Sequence, residues 1–522
     1  MSDKNRKIFI ALTLFISLLI VGLIIAKSVV KNKIENNLAS LPEHVSLMYE
    51  NVDINLLSGD VKLQKPLITI KGQTTKEINT QVDMQSLAIK GFSYWDYLFN
   101  TTLSISDLEF NAPNVVYYYN KLTDTDKGSQ SVISKLKQTL NIKNIAINKG
   151  TLEVYNVEND SIISKINKID FLMTNFSKDQ STKLGSLFNF ETSSIIINGL
   201  EHQVGEFENL FVDNLKIDNN QITLSNLKFK TKYSKNELSK VIDVERDYFD
   251  LEIPKIEINN QKLDFNNTKL IGVDCDNIVI NNPKFNIYRD KLVADDLVEK
   301  DLYSKMLRGL NFKLNINLID ILNGTISYEE KVKAEHIAGK LDFTAFNAKL
   351  TKISNTYLDT DKTKIDINCN FMNNTPLKVE WSFNVNNVND DFVFKADLGN
   401  LNADSLNQFM KPNLNLKLEG ELSKTFFTID GNLEKSNVNL KTKYDKFNII
   451  ILKENGQEKN KLLSSIINVF VSESSKDKGD NFRNSDTKEV IRDKTKSVFN
   501  FVWKNTQAGL LSAMAGDGEK DD

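Results

Sequence analysis

From Val45 onward, apolar residues alternate with Asn, Lys, Asp, Ser and Thr at a period of two, as in Val52-Asp53-Ile54-Asn55 and Leu103-Ser104-Ile105-Ser106. Successive side chains of a strand point to opposite faces, so this period writes half-buried strands. Asn198-Gly199, Asn323-Gly324 and Asp430-Gly431 each follow a short apolar run and predict type I′ hairpin turns, whose two central residues need positive φ. The expectation is a mainly β chain with consecutive antiparallel pairing. Only 7 prolines in 522 residues, and few long helical patterns between strands, disfavour a parallel α/β plan.

The strand pattern echoes itself. Leu140, Ile142, Ile145, Ile147, Gly150, Thr151, Leu152 and Val154 align without gaps with Leu314, Ile316, Ile319, Ile321, Gly324, Thr325, Ile326 and Tyr328, and both stretches read as strand, turn, strand. A few short helices are expected where apolar residues take helical spacing: Ser131 to Leu140, Leu297 to Leu310, and Ala403 to Met410. The polar stretch SESSKDKGDNFRNSD marks a linker over residues 472–487. Residues 488–522 then read as a C-terminal amphipathic helix and tail. From Lys488 to Met514, Val498, Phe499, Val502, Trp503, Leu510 and Met514 share an apolar side, with Arg492, Lys494, Lys496 and Lys504 elsewhere. Such a helix either lies on a membrane surface or covers the end of a sheet.

Near the start, Ile8 to Ala26 carries no charge, and at 1.5 Å per residue a run of about 19 residues spans roughly 28 Å of hydrocarbon. It passes straight into Lys27-Ser28 without a small-residue cleavage pattern, which predicts an uncleaved transmembrane helix rather than a removed signal peptide. Lys4, Arg6 and Lys7 before it are balanced by Lys27, Lys31 and Lys33 after it, so charge does not set the orientation. A very short tail ahead of a long polar chain fits N-inside insertion. The organisation expected is a cytoplasmic tail over 1–7, a span over 8–26 and a β-rich region over 27–471 on the far side of the membrane.

Even with the apolar run counted in, the whole chain has the make-up of a water-soluble body: 26% charged residues, net charge −3 and mean hydropathy −0.32. It has no basic excess, so no nucleic-acid partner is expected. Cys275 and Cys369 are far apart and in no metal-ligand spacing; two small buried residues are favoured over a disulfide. His44, His202 and His336 are isolated from one another, and the common hydrolase, metalloprotease and nucleotide-binding signatures are absent. Asp124-Thr125-Asp126-Lys127-Gly128 opens like a calcium loop, but its Gly falls at the fifth position and Lys135 stands where the bidentate Glu belongs, leaving a solvated turn. Tyr117-Tyr118-Tyr119 fits packing on both faces of a sheet. No catalytic, cofactor-binding or metal residue is assigned, and an enzyme is not expected.

Several stretches carry a family likeness in order along the chain: HVSLMYENVDINLLSGDVKLQKPLITIKG (His44 to Gly72), ISDLEFNAPNVVYYYN (Ile105 to Asn120), NIAINKGTLEVYN (Asn144 to Asn156) and LIDILNGTISYEE (Leu318 to Glu330). LEGELSKTFFTIDGNLEKSNVNLKTKYDKFNIIIL (Leu418 to Leu452) and FNFVWKNTQAGL (Phe499 to Leu510) complete the pattern. In this arrangement the chain resembles the AsmA-like family of bacterial envelope proteins. The resemblance implies a long, twisted antiparallel sheet curved into a groove, apolar inside and polar outside, anchored in the inner membrane with its bulk in the periplasm. It also implies phospholipid transport between membranes or outer-membrane assembly, in the manner of chorein-type bridge-like lipid transfer proteins, with membrane lipid and other envelope proteins as partners. These are strand-and-turn signatures, so no catalytic residue is carried over. The rival expectation is a structural or tethering protein whose sheets close into dry sandwiches, because a groove lining and a sandwich interior use the same residues.

Overall fold

The computed structural model describes residues 43–55, 58–72, 75–100, 102–119, 139–178, 189–266, 269–358, 360–372, 374–453, 474–475 and 482–514. The expected tail and span of residues 1–26, the loop at Asp124, residues 131–138 of the first expected helix, part of the 472–487 linker and residues 515–522 lie outside them. Among the described residues no helix is long and apolar enough to cross a membrane. Strand accounts for 64% and helix for 12% of the described residues, so the class is mainly β. The strands form two compact units, one holding the described residues up to 227 with 261–272, the other 228–260 with the described residues from 273.

The first unit opens with a bent antiparallel hairpin: β1 (Val45–Met48) and β2 (Asn51–Asn55) run out, and β3 (Asp60–Gln64) and β4 (Leu67–Lys71) return beside them. β5 (Ile78–Asp83) pairs with β4, and β6 (Ser86–Lys90) with β3. After helix α1 (Tyr94–Phe99) come β7 (Thr102–Asn111) and β8 (Asn114–Tyr119), one path kinked at Ala112-Pro113. β9 (Thr139–Asn156) lies parallel to both, with pairing residues 37 apart throughout. β10 (Ser161–Lys178), β11 (Thr192–Val204) and β12 (Glu208–Asp218) then add antiparallel.

β13 (Gln221–Thr231) carries the first boundary between the units. Helix α2 (Lys235–Val241) and β14 (Asp247–Asn259) follow; β15 (Lys262–Asn266) belongs to the first unit, and β16 (Lys269–Asn281) carries the second boundary. β17 (Lys284–Asp290) pairs antiparallel with β14, and after helix α3 (Tyr303–Arg308) β18 (Lys313–Lys331) lies parallel to β17 with an offset of 41 residues. β19 (Gly339–Ser354), β20 (Thr363–Phe371), β21 (Thr375–Phe383) and β22 (Phe392–Leu398) form an antiparallel meander. Short β23 (Leu401–Asn402), a 3-10 turn (Ala403–Leu406) and helix α4 (Asn407–Leu414) lead to the hairpin of β24 (Leu416–Gly431) and β25 (Lys435–Ile451). β26 (Arg483–Asn484) and β27 (Lys488–Ile491) edge β25, and helix α5 (Val498–Met514) closes the described chain.

Several expectations are corrected. The pairing is mixed rather than wholly antiparallel: β9 runs parallel to β7 and β8, and β18 parallel to β17. Asn198-Gly199 and Asn323-Gly324 are not hairpin tips: they sit inside β11 and β18, where the positive φ of Gly199 (+66°) and Asn323 (+51°) is taken up within the strand. Asp430-Gly431 does end β24 ahead of a hairpin. The helix expected over Leu297–Leu310 is confined to Tyr303–Arg308, and Thr139 and Leu140 open a strand. Lys488–Ile491 is strand, so the C-terminal helix starts later, at Val498.

The sequence echo has a structural counterpart. Positive φ at Lys149 (+55°) and at Asn323 slips the alternation, which keeps Ile147 and Leu152, or Ile321 and Ile326, on one face. Beside each slip stands a Pro corner. Ala112 N donates to Asn148 O and Thr151 N to Pro113 O; in the second unit Asn282 N donates to Leu322 O and Thr325 N to Pro283 O. Proline has no N–H, so its place at the corner leaves no donor stranded. Gly150 and Gly324 permit the close approach: a Cβ there would lie 3.3 Å from Pro113 Cγ and 3.0 Å from Pro283 Cγ. On the polar face, Asn144 donates to Asp107, Asn148 to Asn111 and Thr151 to Asn114; the second unit has a ladder of the same kind at other positions of the repeat, Asn315 to Asp274, Asn317 to Asp276 and Asn323 to Asn282. These ladders are what the abundant Asn residues do.

Candidate apolar binding face

The first unit has a dry core. Leu63, Ile68, Val82, Leu103, Leu108, Phe110, Leu140, Ile142 and Ile145 are all buried in one cluster. Following one cross-strand row outward shows how that core ends. Phe110 on β7 faces Ile147 on β9, which faces Phe171 on β10, Ile195 on β11 and Ile217 on β12. Phe110 and Ile147 are buried, whereas Phe171, Ile195 and Ile217 are half-buried. The alternation is unchanged while the cover thins, so the apolar face opens toward solvent along β10–β12.

In the second unit the corresponding face is half-open across five strands. Leu251 on β14 faces Phe285 on β17, then Ile326 on β18, Phe343 on β19 and Phe371 on β20, and all five are half-buried. At about 4.8 Å between strands this row is roughly 19 Å wide. Its neighbours are also apolar: Phe249, Ile287, Tyr328 and Leu341 form the next row, with Phe249 stacked on Phe285 at 5.9 Å and the Phe343 ring tilted against Phe371 at 5.2 Å. A fully buried side chain of this size is stabilised by about 1.5–3 kcal/mol, of which a half-buried one forgoes a substantial part. The remainder is available to an apolar ligand.

One end of this face is polar. Asp247, Arg289, Glu330 and Gly339 continue the same strand positions, with Arg289 Nε and Nη2 donating to Asp247 Oδ1 and Oδ2 at 2.7 and 2.8 Å. Tyr328 Oη donates to Glu330 Oε2 at 2.7 Å, and burial, then the Glu330 charge, raise the phenol well above its ordinary value. The Tyr328 phenol stays protonated at neutral pH and paired with Glu330, so the rim can hold a polar group by hydrogen bonding. On the opposite face of β17, burial pushes the Tyr288 phenol up to about 12.

The second unit is closed at its other end. Val379, Trp381, Phe383, Phe394 and Ile429 are buried with Val498 and Phe501 of α5, and Met372, Leu401, Leu418 and Tyr444 with Met514. Gly509 brings α5 so close to β25 that a Cβ would sit 2.8 Å from Leu440 Cβ. Of the two readings of this helix, the sheet-covering one is therefore found. Val498 and Met514 face inward, Val502 and Leu510 pack beside them, Trp503 meets Phe409 at 6.3 Å, and Phe499 points outward.

Sequence reasoning overlooked one polar pair. Ser164 and His202, 38 residues apart, meet on β10 and β11 with Ser164 Oγ 2.6 Å from His202 Nδ1, both buried. Strand register alone brings them together, and only the odd placement of His202 among apolar positions signals it. His336 Nδ1 instead meets Pro412 O at 2.9 Å, and the backbone His44 O accepts from Lys71 N. Cys275 and Cys369 are free and buried, and burial raises both thiols, Cys369 to about 11, which leaves them poor nucleophiles. Tyr117 and Tyr119 are buried while Tyr118 stacks on Tyr155 from the other face. Among the described residues no group of His, Cys, Asp or Glu could hold a metal ion. No family model and no curated protein matches the chain.

Proposed function

We propose that this chain is a non-enzymatic envelope protein, anchored in the inner membrane by Ile8–Ala26, whose periplasmic β-region takes up the acyl chains of phospholipid on its half-open apolar faces. The task it would serve is phospholipid transport between membranes or outer-membrane assembly. One observation carries the reading: the five-strand row Leu251, Phe285, Ile326, Phe343, Phe371 is apolar throughout and nowhere dry. Each CH₂ withdrawn from water is worth about 0.8 kcal/mol, so a sixteen-carbon chain in water costs on the order of 12 kcal/mol, and an apolar trough offsets most of that. The polar end of the face, at Arg289 and Glu330, suits a headgroup.

A second reading, a tethering protein with closed cores, is favoured by the dry cluster around Leu108 and Ile145. Native mass spectrometry of the purified chain separates the two. Stoichiometric phospholipid that disappears in Ile326→Asp/Phe343→Asp, with circular dichroism unchanged, is the expected result; a lipid-free chain sinks the transport reading. Orientation is checked by thiol labelling of an added surface cysteine, with the buried Cys275 and Cys369 as a silent background. Labelling that requires opening of the inner membrane would reverse the topology.

A further inference from the structure

Helix α1 follows Gly91-Phe92-Ser93 and is fixed from both ends. Ser93 Oγ accepts from Asp96 N, and Asn100 N donates to Asp96 O. Its inner face is Tyr94 and Tyr97, which pack on the dry core beside Phe92 with ring centroids 5.4 and 5.9 Å away. Its outer face is Trp95, Leu98 and Phe99, which are 68, 65 and 66% exposed, with the Trp95 and Phe99 rings 4.3 Å apart. Three large apolar side chains at i, i+3 and i+4 thus stand outward on a rigidly held turn. Ile54, also exposed, lies on the hairpin arm leading to the same end, where Phe92 N donates to Gly59 O.

We infer that Trp95, Leu98 and Phe99 form a membrane-interface foot that rests in the headgroup layer of the bilayer carrying the Ile8–Ala26 anchor. A six-residue helix is too small for a standard protein interface, which takes roughly 800 Å² from each partner. Trp and Phe beside Leu are the side chains that settle at a membrane–water boundary. The tether permits it. Residues 27–42 can extend about 53–58 Å, while the hairpin from His44, bonded to Lys71 N, to its tip at Gly59 is roughly 36 Å long. Asp96, the one charged side chain of the helix, accepts hydrogen bonds from Ser104, Ser93 and Asn100, which hold its carboxyl below the usual range, so the helix itself carries no cation to draw it to anionic lipid. Attachment is therefore apolar in origin and needs no anionic lipid.

The inference rests on the anchor reading above, and the test separates the two. The full chain is placed in phosphatidylcholine nanodiscs with a nitroxide at Leu98→Cys or Phe99→Cys, and at Lys216→Cys on exposed β12 as reference. Collision with oxygen is compared with collision with a water-soluble nickel chelate. The oxygen-to-nickel ratio at 98 and 99 should exceed that at 216 several-fold and stay unchanged when salt is raised. A chain that incorporates but gives the reference ratio at both positions overturns the foot alone, as does shielding from both reagents, which would indicate a protein partner. A chain that fails to incorporate removes the anchor, and the foot with it.

Discussion

Leu140, Ile142, Ile145 and Ile147 on β9 and Leu314, Ile316, Ile319 and Ile321 on β18 occupy matching positions beside matching Pro corners, yet the first four are buried and the second four half-buried. The backbone device is shared down to the glycine under each proline, and both copies carry an Asn ladder. The difference comes from what lies over the face. In the first unit β7 delivers Leu103, Ile105, Leu108 and Phe110, and β8 delivers Val115 and Tyr117, into a cluster that also takes residues of β3, β4 and β5; among the described residues of the second unit, the β18 side chains belong to none of the buried clusters. One strand-turn-strand unit thus serves as core in one place and as exposed lining in another.

The sharpest way to break this comparison is a charge at paired positions. Ile145→Asp, at 1% exposure, buries an unpaired carboxylate and should cost several kcal/mol, enough to unfold the first unit. Ile319→Asp leaves its carboxylate in reach of water and should cost about 1 kcal/mol, so urea midpoints for the two variants should differ widely. Equal midpoints would mean that both faces are dry or both open. By the same logic Ile147→Asp, at 7% exposure, should unfold rather than merely lose lipid.

Substitutions at the corner should behave oppositely, since it is common to both copies. A methyl at Gly150 would meet Ile147 Cγ2 at 3.1 Å and one at Gly324 would meet Pro283 Cγ at 3.0 Å. Gly150→Ala and Gly324→Ala should each cost about 1–3 kcal/mol through overpacking. A cost at one site only, in chemical denaturation, would show that the corner is not a shared device. Smaller again are the ladders: Asn144→Ala and Asn315→Ala each remove a side-chain bond, of 2.8 and 2.7 Å, and should cost about 1 kcal/mol.

The smallest effect is a pH difference at the two slips. Lys149 N donates to Asp170 Oδ1 and Asn323 N to Asn347 Oδ1, both at 2.9 Å. Lys168 beside Asp170 holds its carboxyl below the ordinary value. The stability it adds is therefore present above its unfolded pKa of about 4 and lost as pH falls through the lower folded value. Because the carboxylate is largely solvated, the loss should be only a few tenths of a kcal/mol. Hydrogen exchange, corrected for intrinsic rates, should show Lys149 N–H losing protection in acid while Asn323 N–H does not, and Asp170→Asn should remove the difference.

What the sequence by itself determined is local. Period-two alternation settles that Val52, Ile54, Leu103 and Ile105 lie in strands, the recurring spacing from Leu140 and Leu314 marks two copies of one unit, and the Tyr117–Tyr119 run divides between two faces as expected. These features are legible because a strand's side-chain direction depends only on its own backbone. The tertiary structure alone decided the rest: parallel neighbours at offsets of 37 and 41 residues, the use of Asn198-Gly199 and Asn323-Gly324 within strands, and the meeting of Ser164 with His202. Positive φ serves a turn or a bulge equally well, so the dipeptide cannot state which. Whether an isoleucine is dry or half-open depends on which other strand lies over it, and that strand is dozens of residues away.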